Sequence, residues 1–229
     1  MVYIMKIYVD GGCRNNGRPG AVAAAAAVVK RRWGKRKEFR RCLLREPYPP
    51  TNQRAEITAI ILALEVGLKR YGELHSSPYM KVTIYSDSKY VIGCMTEWIP
   101  KWRRNGWRNA AGNPVANQDL IKEAAELHNK LDKEGRVKYT WIPRDANEHA
   151  DRLCNLAMDE MIDQEIALEK QKRLAELNRQ SGELATVDLA LGALAISRSD
   201  SAIDMYNSDS YNIAFEQHQK RLGIHAGAW

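Results

Sequence analysis

The chain has 229 residues, 45% of them apolar and 28% charged, which suffices for one or two domains with a proper core and excludes a wholly disordered chain. The net charge of +7 is unevenly divided, with 28 Lys/Arg against 16 Asp/Glu in residues 1–158 and 7 against 12 in residues 159–229. A basic module followed by an acidic tail points to a polyanion partner, most often nucleic acid, against the plainer reading of a merely soluble surface.

Three strand-like runs come first, Tyr3–Val9, Gly20–Lys30 and Lys37–Leu44, with Trp33-Gly34 as the turn between the second and third. The cations flanking that turn fit a charged hairpin tip, the other reading being a nuclear-localisation signal. After the Pro47-Tyr48-Pro49-Pro50 breaker, Thr51 or Asn52 caps a helix whose apolar stripe is Ile57, Ile60, Ile61, Leu64 and Leu68. Lys81–Tyr85 reads as a short strand ending in Ser86-Asp87-Ser88. A helix over Val91–Trp98 follows, then a Trp- and Arg-rich segment over 98–108 and a helix over about 118–132. Val137–Ile142 alternates like a fifth strand, and the pattern is helical from Glu148. This order predicts an α/β domain over 1–158, a five-stranded mixed sheet with its first three strands antiparallel and helices on its faces. Residues 159–229 form a separate helical extension, with an apolar surface at 184–196, a linker-like stretch at 197–212 and one short helix over Ile213–Leu222.

Cys13, Cys42, Cys94 and Cys154 form neither a CxxC pair nor a Cys/His run, so zinc is not expected and a reduced, intracellular protein is. No apolar stretch spans a bilayer. The N-terminus runs straight into a strand without a signal or transit peptide, leaving nucleus, cytoplasm or both as expected locations.

Four acidic residues stand out by position. Asp10 is expected to close the first strand just before Gly11-Gly12, and Glu56 to lie in the first turn of the apolar helix. Asp87 ends the fourth strand, and Asp151 opens the last helix of the basic module. Singly, each reads as a cap. Jointly, carboxylates from adjacent strand ends and helix starts converge, and they cannot all stay ionised without cations. Hard oxygen ligands select Mg²⁺ or Mn²⁺, and a pair of such ions about 4 Å apart suits in-line attack on a phosphodiester.

Asp10-Gly11-Gly12-Cys13 with Asn16, Thr51-Asn52-Gln53-Arg54-Ala55-Glu56, Ser86-Asp87-Ser88-Lys89-Tyr90-Val91 and Asn147-Glu148-His149-Ala150-Asp151-Arg152-Leu153 resemble, in order, the four signature blocks of type 1 ribonuclease H. The resemblance covers residues 3–158. It implies a ribonuclease H-like fold and two Mg²⁺ ions, for which Mn²⁺ can substitute, on Asp10, Glu56, Asp87 and Asp151. One ion would activate water and the other stabilise the leaving 3′-oxygen, giving 5′-phosphate and 3′-hydroxyl ends. The implied substrate is the RNA strand of an RNA–DNA hybrid, its 2′-hydroxyls read by Gly11, Cys13, Asn16, Asn52 and Gln53.

The segment Trp98–Arg108 packs three of the six tryptophans among four cations. A helix pair with core tryptophans accounts for Trp98, while Lys101, Arg103, Arg104 and Arg108 suit a sugar–phosphate groove. The segment is similar to the family's basic protrusion. The likeness implies that Trp102 and Trp107 lie against DNA sugars and that Thr51 and Asn117 help hold a DNA phosphate.

Two departures from the family pattern stand out. The Gly-His loop of many members is absent, Trp141–Asn147 crossing the gap directly, which implies slower product release and not inactivity. His149 is no substitute; it faces away from Asp151 and reads as solvent-facing. Pro49 also stands where some relatives place an Arg in the DNA-phosphate pocket. No separate N-terminal hybrid-binding domain is expected before the first strand. The chain is expected to be monomeric, its extension packing back or meeting a protein partner. Competing readings are a non-catalytic hybrid-binding protein, a retroelement-derived ribonuclease H domain and a scaffold organised by the tail.

Overall fold

The computed structural model describes residues 1–31 and 34–196, with side chains to residue 180. Trp33 of the expected turn, the linker-like stretch 197–212 and the short helix over 213–222 lie outside the described residues, and so do the side chains of 184–196.

Five strands form one sheet in the order β3-β2-β1-β4-β5. β1 (Val2–Arg14), β2 (Val22–Lys30) and β3 (Arg36–Cys42) are antiparallel neighbours. β4 (Tyr79–Ser86) joins β1 in parallel from Val2↔Tyr79 to Tyr8↔Tyr85, and β5 (Gly135–Trp141) joins β4 in parallel. Parallel neighbours need crossover connections. Helix α1 (Asn52–Gly72) supplies the first, its N-terminus capped by Thr51 Oγ1, which accepts from Arg54 N at 3.2 Å. The second runs through α2 (Lys89–Gly93), a wide π turn (Cys94–Trp98), α3 (Ile99–Arg104) and α4 (Gln118–Lys133). The helix expected over Val91–Trp98 is thus broken, and Trp98 packs where a Cβ on Gly93 would stand, 2.9 Å away.

Met5, Ile7, Val9, Met80, Val82, Ile84, Val137 and Tyr139 pack on one face of the sheet with α1 and α4. On the other face Val22, Ala24, Ala26 and Val28 meet Ala150, Leu153, Cys154, Ala157 and Met158 of α5 (Glu148–Ile196). β2 is therefore covered on both sides, so it reads as an unbroken small apolar run instead of alternating. Ion pairs Arg40–Glu160 (2.8 Å) and Arg45–Glu165 (2.8 Å) tie α5 to β3 and to the chain just beyond it. Met1–Lys172 form one compact unit, and the boundary expected at residue 158 falls within α5.

β1 does not stop at Val9. Gly11 to Arg14 continue the ladder opposite Ala25 to Val22, so Asp10 sits within the strand. Glu56 is the fifth residue of α1, just past the first turn expected for it.

Candidate active site

Pairing between β1 and β4 ends at Tyr8↔Tyr85, and two residues further along Asp10 and Asp87 stand at the edge of the parallel ladder. Gly11 then touches α1: a Cβ built on it would lie 2.2 Å from Ala55 C and 2.3 Å from Glu56 N. Only a glycine lets strand and helix approach so closely, and that approach brings the start of α1, with Glu56, onto the end of β1 next to Asp10 in the chain. Asn147, 1% exposed, donates from Nδ2 to Val9 O (2.9 Å) and to Asp87 Oδ1 (2.7 Å). This bridge fixes the 3₁₀ turn Arg144–Asn147 against both strands, and α5 presents Asp151 one turn later. The crevice lies at the carboxyl ends of parallel strands, where open α/β sheets bind ligands.

The four carboxylates share one field. Burial pushes Asp10 up to about 7, with help from the charges of Asp87 and Asp151, against an N–H from Gly11 and the nearby Arg144. Burial also raises Glu56, and the charge of Asp87 adds to it. Ser88 Oγ (2.8 Å) and Asn52 Nδ2 (3.0 Å) donate to Glu56 and oppose that rise. Asp151 accepts from Arg144 Nη2 (3.0 Å) and Asn155 Nδ2 (3.2 Å). Among the described residues no three His, Cys, Asp or Glu stand close enough to close on a metal ion. Glu56, Asp87 and Asp151 are each drawn onto a protein donor instead. The donor set nonetheless fits a hard divalent cation: all its ligating atoms are carboxylate oxygens, and one carboxyl is held near neutrality by burial and two neighbours.

Nothing in the local sequence marks Arg144. It lies on the short crossing between β5 and α5, with 80% of its side chain exposed, and brings a cation into the carboxylate cluster. His149 turns away from Asp151, as expected, but is not free in solvent. Its Nε2 lies 2.6 Å from Glu38 Oε1 on β3, and Arg36 and Arg152 approach Nδ1 at 3.0 and 2.8 Å. Register across the sheet, which no local pattern carries, places that partner.

The residues expected to face 2′-hydroxyls line the end of β1 and the start of α1. Asn16 Oδ1 accepts from Asn52 N at 3.2 Å, Cys13 Sγ lies 3.6 Å from Pro50 O, and Gln53 is exposed. Gly11 is buried at the contact with α1. In the basic segment Trp98, Trp102 and Trp107 form a tilted ladder, with centroids 5.7 and 6.4 Å apart. Trp102 and Trp107 are half-buried against the core, so they present part of each ring and not a free face. Lys101, Arg103, Arg104 and Arg108 are exposed, and no ion pair holds them among the described residues. Thr51 and Asn117 line one cavity of about 520 Å³ with Tyr48, Pro49, Arg54 and Lys122. Arg54 forks onto Asp119 (3.0 and 2.7 Å) and lies 4.7 Å over the Tyr48 ring. That cavity therefore has a guanidinium although Pro49 supplies none.

A family model described as RNase H matches residues 3–166. The ribonuclease H of Hydrogenovibrio crunogenus is 36% identical over 164 residues, covering 69% of this chain and 97% of the relative. That of Thiobacillus denitrificans is 39% identical over 156 residues, covering 66% and 91%. Among solved structures, LC9-RNase H1, described as a type 1 RNase H with the type 2 active-site motif, superposes with a TM-score of 0.53 at 26% identity. It covers 69% of this chain and 72% of that one. LC11-RNase H1, isolated from compost, gives 0.50 at 27% identity, covering 69% and 97%.

Proposed function

As the chain belongs to the ribonuclease H family, we propose that it cuts the RNA strand of RNA–DNA hybrids by in-line attack of water, leaving 5′-phosphate and 3′-hydroxyl ends. One observation carries the reading: Asp10 and Asp87 stand side by side two residues past the end of the β1–β4 ladder, with Asp151 near enough for its charge to act on Asp10, which makes a carboxylate crevice suited to cations. Asp10, Glu56, Asp87 and Asp151 would hold two Mg²⁺ ions, or Mn²⁺ in their place. Bound there, the metal supplies a water nucleophile at neutral pH and charge stabilisation for the leaving oxygen. The chain's own part is positional. Asn147 holds Asp87 against β1, Ser88 and Asn52 orient Glu56, and Gly11, Cys13, Asn16, Asn52 and Gln53 offer polar and backbone groups to the 2′-hydroxyls that distinguish RNA. Lys101, Arg103, Arg104 and Arg108, with the edges of Trp102 and Trp107, take the DNA strand, and the Thr51–Asn117 cavity takes one of its phosphates. The catalytic domain is residues 1–158, with 159–229 an extension that can meet a protein partner. The protein acts as a monomer within the cell, in nucleus or cytoplasm. No described helix is long and apolar enough to cross a membrane.

The test is cleavage of an end-labelled hybrid with and without Mg²⁺, beside duplex RNA, duplex DNA and Asp87→Asn. Metal-dependent cutting of only the hybrid's RNA, lost in the variant, is the expected result. Intact hybrid binding without cutting in Mg²⁺ or Mn²⁺ would leave a binding module.

Two further outcomes follow from the geometry. If the basic segment neutralises about four phosphates, hybrid affinity falls with salt at a log–log slope of roughly −3 to −4. Arg103→Glu with Arg104→Glu should flatten that slope by about 2 and raise KM, leaving kcat nearly unchanged. Arg144 competes with a divalent ion for Asp151 Oδ1. Arg144→Gln should therefore lower the Mg²⁺ concentration giving half-maximal cleavage several-fold. Its exposed ion pair contributes at most about 1 kcal/mol, so thermal melting should barely move. An unchanged or higher Mg²⁺ requirement would remove Arg144 from the site.

A further inference from the structure

α5 covers only part of its face of the sheet. Its contacts lie on β2 and reach across to Tyr8, and the outward residues of β1, β4 and β5 beyond that point have no described helix packed on them. Register determines what this open area presents. Arg36 stands opposite Lys30, Lys30 opposite Lys6, Lys6 opposite Thr83 and Thr83 opposite Lys138, one row across all five strands. Two residues along, Ile4, Lys81 and Arg136 form a second row. Lys6, Lys81, Arg136 and Lys138 are exposed, and none is ion-paired among the described residues. The carboxylate nearest in register, Glu38, already holds His149 at 2.6 Å, and Asp145 and Glu148 line one cavity with Lys30 and Arg36. The cations without a carboxylate partner among the described residues are therefore Lys6, Lys81, Arg136 and Lys138, further across the sheet.

Like charges directly opposite one another weaken a sheet, so this array opposes folding unless it meets something negative. With strands about 4.8 Å apart and rows about 6.6 Å apart, the cations form an extended grid suited to a linear polyanion more than to one compact anion. The surface among them carries apolar groups, with Tyr8 covered on both faces. Tyr8 and Tyr85 stack with centroids 4.7 Å apart at 16°, Lys30 Nζ sits 3.9 Å over Tyr8, and Ile4 is 66% exposed. Flat apolar side chains between cations suit unpaired bases, whereas a duplex offers its phosphates alone. The grid also begins beside the cleft, since Tyr8 and Tyr85 are two residues before Asp10 and Asp87 on the same strands.

From this arrangement we infer that the open face of the sheet is a second nucleic-acid surface, which takes a single strand running off the cleavage site. Binding there is independent of whether the carboxylates cleave. It is tested with the full chain carrying Lys81→Glu, Arg136→Glu and Lys138→Glu, using anisotropy of a fluorescein-labelled 20-nucleotide single-stranded DNA in EDTA. Binding should weaken about tenfold or more, with a salt slope flatter by about 2 for three lost contacts. Cleavage of a short blunt hybrid should stay within about twofold and a hybrid with a long single-stranded overhang should lose its advantage, which separates this surface from the catalytic reading. The neutral variant with Gln at the same three positions should lose less than the reversed one, which guards against a folding artefact. Unchanged single-strand affinity in the folded variants would overturn the inference. So would loss of binding to phosphatidylserine vesicles, or to an acidic protein, with oligonucleotide affinity intact.

Discussion

Asp10→Asn is expected to reduce hybrid cleavage by about 10³-fold or more, since on the proposed mechanism it removes one of the carboxylates that would hold the metal, and with it several kcal/mol of transition-state stabilisation. The same substitution should make the metal-free protein more stable at pH 8. Folded Asp10 has its pKa raised from 3.8 to about 7, first by burial and then by Asp87 and Asp151. The folded state therefore prefers the protonated form, and the unfolded chain gains by ionising first. Stability falls as pH rises between about 4 and 7, and above that window the penalty amounts to a few kcal/mol. Asn carries no charge and escapes it. Thermal melts in EDTA should show the variant well above the native protein at pH 8 and level with it near pH 4. Added Mg²⁺ should raise the native protein and leave the variant almost unmoved. Equal melts at pH 8 would mean that Asp10 is not strained by its neighbours.

Gly11→Ala should do more damage than its single methyl suggests. The new Cβ would meet backbone, at 2.2 Å from Ala55 C and 2.3 Å from Ala55 O, and neither strand nor helix end can yield as a side chain does. Overpacking of this kind costs about 3 kcal/mol or more, which in a domain of this size lowers the melting temperature by about 6 to 12 °C. Cleavage should fall by about 100-fold even in the folded fraction, because displacement of α1 by about 1 Å moves Glu56 relative to the other carboxylates of the crevice. Gly12→Ala is the control. Its Cβ would meet only Met158 Cε at 3.2 Å and Cys154 Sγ at 3.4 Å, both ends of side chains. Similar melting temperatures and rates for the two variants would show that the tight contact does not position the site.

The elements of the fold were legible where a local pattern encodes them. Alternation placed β4 and β5 to within a few residues, and the stripe from Ile57 to Leu68 marked α1. Residues set by pairing were not. The double glycine after Asp10 reads as a break, yet β2 supplies partners through Arg14, so the strand continues. The four carboxylates were visible because each sits in a recognisable block. Their coupling was expected from convergence, but its concentration on Asp10 was not, because that depends on how deeply Asp10 is buried. Arg144 escaped notice as an ordinary charge on a loop, and Arg54 as a helix-start cation whose fork onto Asp119 spans 65 residues. The grid on the open face exists only in register, since Lys6, Lys30, Arg36, Lys81, Arg136 and Lys138 come from five separate strands.

The Asn147 bridge also bears on the order in which the molecule assembles. Its two hydrogen bonds span 138 and 60 residues, the long loop closures that cost most entropy and are made late. The meander of β1, β2 and β3 closes over far shorter distances and can form while the rest of the chain is still being synthesised. Asp10 is thus in place early, but Asp87 and Asp151 join it only once β4 and the start of α5 have docked. A nascent chain carries one carboxylate of the four and no cutting centre. Capacity to cleave therefore arrives in a single late step, when β4 and the start of α5 have docked on β1.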